Sequence, residues 1–109
     1  MQPNDQLQTL YDNAKSILVD KDGNPTQAYK NYLVYQKQWQ DKNDAYQNAM
    51  MQARASPLSY QNWPIEGTKY SGDIEMAMNN WVALGSKNEI ESALNLLKQS
   101  GKMPATISQ

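Results

Sequence analysis

The stretch TQAYKNYLVYQKQWQDKNDAYQNAMMQARA, Thr26 to Ala55, contains neither proline nor glycine. Residues spaced alternately by four and three form a heptad-like series within it, with one charged member. The series comprises Ala28, Tyr32, Tyr35, Trp39, Lys42, Tyr46, Ala49 and Ala53. Because this spacing keeps its members on one helical face, the stretch predicts a long amphipathic helix of about 45 Å.

The preceding sequence DKDGNP, residues 20–25, is rich in oxygen ligands and raises the question of a calcium loop. Starting that loop at Asp20 puts Pro25 at the position that requires glycine and Asn31 at the position that requires glutamate. The register that places Gly23 correctly begins and ends on an apolar and an aromatic residue. Neither register supplies a full ligand set, so we predict a turn and no metal site.

A shorter first helix is predicted over residues 4–19 by apolar side chains at helical spacing. These side chains are Leu7, Leu10, Tyr11, Ala14, Ile17 and Leu18. Gly23 and Pro25 end this helix, and Thr26 is placed to cap the next one. Residues 4–55 therefore predict a helical hairpin in which the C-terminal half of the longer helix extends past the first.

An irregular aromatic loop is predicted over residues 56–72, because the residue before Pro57 is disfavoured in a helix and PLSYQNWPIEGTKYSG is rich in proline and glycine. The loop has two interpretations. It either caps the core or presents aromatic faces to a ligand. The candidate ligand residues are Tyr60, Trp63 and Tyr70.

The remaining sequence predicts a pair of short helices over residues 73–101 and a frayed tail over residues 102–109. The first short helix ends at Gly85. The second begins with a capping box, in which Ser86 accepts a backbone hydrogen bond and Glu89 reaches back, and it ends at Gly101.

Composition excludes several functional classes. The chain has no cysteine and no histidine, so disulfides, imidazole or thiolate metal sites and the usual nucleophile–base pairs are absent. We therefore expect no cofactor. Its formal charge of −1, without a basic stripe, argues against nucleic acid. No apolar run approaches a membrane span, and the N-terminal sequence lacks the features of a secretion signal. We expect a soluble chain and leave its compartment open.

The acidic side chains offer the one enzymatic alternative. A glycosidase-like pair of Glu66 and Glu75 near Trp63 would make the chain a weak hydrolase. General acid catalysis requires one carboxyl group in an apolar pocket, and no sequence pattern marks such a pocket. We therefore predict no catalytic residues and no enzymatic activity.

Together these features predict a single all-α domain over residues 1–109, a small helical bundle with one long and one short helical hairpin. The predicted function is a non-catalytic structural or protein-interaction module, alone or within a larger assembly or chain. Its expected partner is another protein or a second copy. The candidate interaction residues are Tyr46, Ala49, Met50 and Ala53. The alternative is a small-ligand or glycan binder that uses the loop around Trp63.

Overall fold

The computed structural model describes residues 3–107, which form four α-helices and confirm the predicted all-α class. The elements are α1 (Pro3–Leu18), α2 (Gln27–Arg54), α3 (Pro57–Val82), α4 (Lys87–Ser100) and a short 3-10 turn (Ala105–Ile107). The chain divides into two compact units. Unit 1 holds the chain up to Leu33 and from Leu84 onward, and unit 2 holds Val34–Ala83. α2 therefore contributes its first two turns to unit 1 and the remainder to unit 2.

The predicted turn between α1 and α2 is confirmed, and the side chain of Asp20 organises it. Asp20 Oδ1 accepts hydrogen bonds from the amides of Asp22 and Asn24 at 2.9 and 3.0 Å. Gly23 adopts a φ of +84°, a left-handed conformation that favours glycine. The carboxylate of Asp20 thus serves the backbone of the turn. That calcium leaves the protein unchanged stays a prediction.

Thr26 connects this turn to α2. Its hydroxyl accepts a hydrogen bond from the amide of Tyr29 at 3.2 Å and donates one to the carbonyl of Ile17 at 2.7 Å. Its own amide donates to the carbonyl of Leu18 at 3.0 Å. The predicted cap is therefore present, and the same side chain ties the start of α2 to the end of α1.

Unit 1 has an aliphatic core between α1 and α4, which pack against each other. Leu18, Ile90 and Leu97 are the largest fully buried side chains of the described residues. Ala14 and Ala93 are buried in the same unit. Aliphatic side chains of this kind have no polar atom to satisfy, so these five residues contribute by burial alone.

The N-terminal half of α1 is less covered than the sequence predicts. Leu7 and Leu10 belong to the predicted apolar stripe, yet both are exposed. Burial on α1 begins at Ala14. Helical spacing determines which side chains share a face, but it does not determine how far the partner helix reaches along that face.

The bounds of α4 agree with the sequence prediction, whereas its predicted cap is wrong. Ser86 precedes the first turn with φ −92° and ψ −4°, and its side chain makes no capping hydrogen bond. A capping serine normally needs an extended backbone to reach the helix amides. At the other end Gly101 has the predicted left-handed φ of +70°. The amide of Lys102 donates to the carbonyl of Leu97 at 2.9 Å, which closes the helix.

The predicted frayed tail is wrong over residues 102–107. The Nζ atom of Lys102 lies 5.8 Å from the ring centroid of Tyr11. Ala105–Ile107 forms a 3-10 turn, in which the amide of Ile107 donates to the carbonyl of Pro104. These contacts order the segment. The prediction also covered residues 108 and 109, which lie outside the described residues.

The largest correction concerns residues 56–72, which were predicted as an irregular loop and are helical. Ser56 is extended, with φ −131° and ψ 124°, and Pro57 occupies the start of α3. The first helical position suits proline, because its missing amide would have no partner there and its φ is already helical. Pro64 lies inside α3, where its missing amide removes one backbone hydrogen bond. The helix continues across it because the flanking residues still pack.

Unit 2 is a hairpin of α2 and α3 with an aromatic interior. The rings of Trp39 on α2 and Trp81 on α3 lie 5.9 Å apart between centroids. The interior face of α3 recurs at intervals of four and three residues and comprises Trp63, Gly67, Tyr70, Ile74, Ala77 and Trp81. The long helical pairing is therefore α2 with α3, and the predicted short helix 73–84 is the second half of α3.

Candidate functional site: an aromatic cluster and an exposed face of α3

An aromatic cluster joins residues from both sequence-predicted sites. The ring of Trp63 lies 5.7 Å from that of Tyr46, tilted by 58°, and 5.9 Å from that of Tyr70, stacked at 21°. Trp63 and Tyr70 meet because seven residues are nearly two helical turns. Tyr46 was predicted as an interaction residue and the other two as ligand residues. All three lie half-buried in the hairpin of unit 2.

Gly67 provides the space in which the indole of Trp63 lies. A Cβ atom at Gly67 would be 3.0 Å from Cε2 and 3.1 Å from Nε1 of that ring, closer than most side chains tolerate. Gly67 is buried on the interior face of α3. The sequence analysis placed Gly67 in the predicted loop and gave it no specific role. The available signal was its position four residues after a tryptophan, where helical side chains meet.

A shallow groove runs beside the cluster. Its volume is about 210 Å³, and it is lined by Ala49, Gln52, Ala53, Ser59, Trp63, Glu66 and Tyr70. This volume is below the range of roughly 300–1,000 Å³ that is typical of small-molecule sites. The aromatic rings also stack on one another, which leaves less flat surface for a sugar ring. Glu66 supplies an exposed carboxylate at the edge.

The remaining predicted site residues have different surroundings. Ala53 is buried, whereas Ala49 and Met50 are half-buried. Tyr60 is exposed and takes no part in the aromatic ring contacts of the described residues. The structure thus unites Trp63 and Tyr70 and leaves Tyr60 apart. Whether any of these residues binds a partner or a ligand stays a prediction.

A second face of α3 carries exposed apolar side chains, with the polar residues Asn62 and Lys69 between them. Leu58, Ile65 and Met76 are 74%, 80% and 64% exposed, and Gly72 has nothing near its missing Cβ. Steps of seven, seven and four residues keep these four positions within about 40° of one another on the helix. They lie nearly opposite the interior face. We call Leu58, Ile65, Gly72 and Met76 the outer stripe.

Sequence reasoning missed the outer stripe because it divided α3 into a loop and a short helix. The periodicity of Leu58, Ile65 and Gly72 has meaning only if residues 57–82 form one helix. For the same reason the sequence analysis did not identify the interior face of α3. The usable signal was the Ser56–Pro57 pair, which is typical of a helix start.

A polar cluster in unit 1 surrounds the hydroxyl of Tyr32. That hydroxyl donates to Glu91 Oε2 at 3.4 Å, and Lys87 Nζ lies 2.6 Å from Glu91 Oε1. Burial, together with the negative charge of Glu91 and the hydrogen bond to it, raises the pKa of Tyr32 to about 12. Burial also raises the pKa of the neighbouring Tyr29. A phenol with a raised pKa stays protonated at neutral pH, and here it donates its hydrogen bond to Glu91.

The carboxylates of α3 do not form a catalytic pair. Glu66 and Glu75 are nine residues apart on one continuous helix, which separates them by about 13 Å along the axis and places them on opposite faces. Glycoside hydrolysis requires carboxyl groups roughly 5–10 Å apart across one bond. Over residues 3–107 there is also no group of three or more acidic side chains that could hold a metal ion. This geometry gives no support to the hydrolase alternative.

None of the helices within residues 3–107 combines the length and apolar character that a bilayer crossing requires. The chain matches no protein-family model, and searches of curated proteins and of solved structures found no similar protein.

Proposed function

We propose that the chain is a non-catalytic protein-interaction module whose contact surface is the outer stripe of α3. The observation that supports this proposal is the exposure of Leu58, Ile65 and Met76 in one row on an ordered helix. Single exposed apolar residues are ordinary, whereas several on one helical face favour a contact surface. The row extends over nineteen residues, a rise of about 27 Å along the helix.

The charge distribution of the chain also supports a protein partner. Residues 45–65 contain a single charged side chain, Arg54. The exposed surface near the turn between α2 and α3 is therefore almost neutral, and its apolar members include Met51 and Leu58. Neutral surfaces are desolvated at lower cost than charged ones, which suits protein contact and argues against nucleic acid.

The test compares two charge substitutions on exposed positions of unit 2. Ile65→Glu places a carboxylate in the outer stripe, whereas Gln47→Glu places one on an exposed position of α2 outside it. A photo-crosslinking residue at position 58, exposed to the purified chain and to native lysate, identifies the partner by mass spectrometry. We expect binding of that partner to be lost with Ile65→Glu and retained with Gln47→Glu. Absence of any crosslink at position 58, or equal binding by both variants, would show that the outer stripe is not a contact surface.

A small-ligand site in the groove beside Trp63 and Tyr70 is the second candidate, because the groove combines aromatic rings with the carboxylate of Glu66. Saturation-transfer NMR with a panel of mono- and oligosaccharides tests it. Contacts that disappear with Trp63→Ala, in a variant that remains folded, would favour this candidate. The small volume and the stacking of the rings on each other make it the weaker of the two.

A further inference from the structure

We infer that the groove beside Trp63 receives the guanidinium group of an arginine side chain that the protein partner carries. This inference rests on the proposed function and specifies one residue of the partner. The groove and the outer stripe are neighbours on α3, because Glu66 lines the groove and directly follows Ile65 of the stripe. One residue corresponds to a rotation of about 100° around the helix. A partner that covers Ile65 can therefore place a long side chain in the groove.

The charges around the groove favour a cation. Glu66 is the one charged residue among those that line it, and its side chain is exposed. In the described part of the chain, no ion pair includes its carboxylate. Lys69 lies about 60° further around α3, on the face of the outer stripe, and Arg54 lies at least about 100° around α2 from each residue that lines the groove. The carboxylate is therefore available to a cation from a partner.

The aromatic part of the groove favours a planar cation. The rings of Trp63 and Tyr70 are nearly parallel, with centroids 5.9 Å apart. Because carbon atoms in contact are about 3.5–4 Å apart, the rings must be offset sideways by roughly 4–5 Å. Each ring therefore leaves part of its face uncovered by the other. A guanidinium group is smaller than a sugar ring and stacks on such a face.

The polar part of the groove distinguishes arginine from lysine. The five N–H donors of a guanidinium group require several acceptors. The carboxylate of Glu66, the amide oxygen of Gln52 and the hydroxyl of Ser59 provide them along the groove. A lysine ammonium group lacks the planar shape for stacking and the paired donors that match a carboxylate. The combination of flat rings and several acceptors therefore favours arginine.

The size of the groove favours a side chain over a free ligand. Its volume of about 210 Å³ is below the range of typical small-molecule sites. A side chain can enter such a shallow groove while the backbone that carries it stays outside. Arginine, tryptophan and tyrosine are also the residues that most often dominate the binding energy of protein interfaces. The expected contact is thus one arginine beside the apolar contact on the outer stripe.

The test uses N-acetyl-arginine amide and N-acetyl-citrulline amide, which have nearly the same shape and differ in charge. Heteronuclear NMR at constant ionic strength follows the indole N–H of Trp63, and the indoles of Trp39 and Trp81 serve as references outside the groove. We expect saturable shifts with arginine and a dissociation constant of roughly tens of millimolar, since a single exposed side-chain contact is weak. The citrulline compound should bind at least about fivefold more weakly. Equal binding of both compounds, or no saturable shift with arginine, would overturn the inference.

Two matched substitutions assign the effect to the groove. Glu66→Gln removes the charge of the groove, and Glu75→Gln removes an equal charge from the opposite face of α3. Both positions are exposed, so both variants should fold like the parent, which circular dichroism checks. We expect Glu66→Gln to bind the arginine compound as weakly as the parent binds the citrulline compound, and Glu75→Gln to bind it as the parent does. Unchanged affinity of Glu66→Gln, or equal affinity of the parent for N-acetyl-lysine amide, would contradict the assignment.

Failure of this titration is distinguishable from failure of the proposed function. The crosslink at position 58 and the loss of partner binding with Ile65→Glu do not depend on the groove. If both are observed while the arginine and citrulline compounds bind equally, the partner contacts the outer stripe without an arginine in the groove. That result overturns the inference and leaves the proposed function intact.

Discussion

Units 1 and 2 are of similar size but are stabilised by different means. All three of the largest fully buried side chains, Leu18, Ile90 and Leu97, belong to unit 1. The interior of unit 2 has buried alanine, glycine and Trp81, surrounded by aromatic rings that remain half-exposed. A two-helix hairpin with this interior buries little surface per residue. An additional contact would therefore stabilise unit 2 more than unit 1. The outer stripe is the surface on which we propose such a contact.

Truncation of an isoleucine in each unit should give the largest difference in unfolding free energy between them. Ile90 is fully buried in unit 1, whereas Ile74 is half-buried on the interior face of α3. We expect Ile90→Ala to lower the free energy of unfolding by about 3 kcal/mol, and Ile74→Ala by about 1 kcal/mol. Urea denaturation followed by circular dichroism measures both. Equal losses would mean that unit 2 packs as tightly as unit 1.

Alkaline titration tests the polar cluster that belongs to unit 1. The pKa of Tyr32 is raised to about 12 from the ordinary value of 10. The folded state therefore favours the neutral phenol, and this stabilisation is complete below pH 10 and is lost as the pH rises towards 12. The parent should lose more unfolding free energy than Tyr32→Phe between about pH 10 and about pH 12. Identical pH dependence of Tyr32→Phe and the parent would contradict the assignment.

Two glycines of α3 provide a matched pair within unit 2. Gly72→Ala should raise the free energy of unfolding by about 0.5–1 kcal/mol, because alanine is the better helix former and the site is open. Gly67→Ala gains the same propensity but pushes against the indole of Trp63, so its net effect should be smaller or negative. Thermal unfolding at concentrations where the chain is monomeric measures the difference. Equal stabilisation by both substitutions would show that the indole does not depend on Gly67.

The smallest expected effect concerns the start of α4 in unit 1. Because the hydroxyl of Ser86 makes no capping hydrogen bond, Ser86→Ala should change the free energy of unfolding by less than about 0.5 kcal/mol. Thr26→Ala is the natural comparison, since Thr26 does cap α2, and it should cost about 1 kcal/mol. Chemical denaturation of both variants tests the ranking, and a larger loss for Ser86→Ala would reverse it.

The features that sequence reasoning predicted correctly depend on interactions within a few residues. Thr26 and Gly101 act on their own helix ends, and Gly23 acts within its own turn, so each could be read from its neighbours. Ser86 shows the limit of this approach, because a capping side chain also needs a suitable backbone angle, which the preceding turn determines.

The features that could not be predicted depend on packing between distant parts of the chain, which can outweigh a local preference. Pro64 disfavours a helix, but the interior face from Trp63 to Trp81 gains enough packing for α3 to continue through it. The exposure of Ile65 and the pairing of α1 with α4 depend on where distant helices lie. No spacing within a single segment carries that information.

All three tryptophans, Trp39, Trp63 and Trp81, lie in unit 2, and unit 1 has only tyrosine chromophores. Fluorescence excited at the red edge of the absorption band, where tyrosine is silent, therefore reports on one unit alone. Far-ultraviolet circular dichroism reports on the helices of both. If the two signals coincide during denaturation, the chain unfolds as one cooperative body, and if fluorescence changes first, the aromatic hairpin opens while the aliphatic unit stays folded. The distribution of tryptophan thus equips the unmodified chain with a built-in optical reporter of local unfolding.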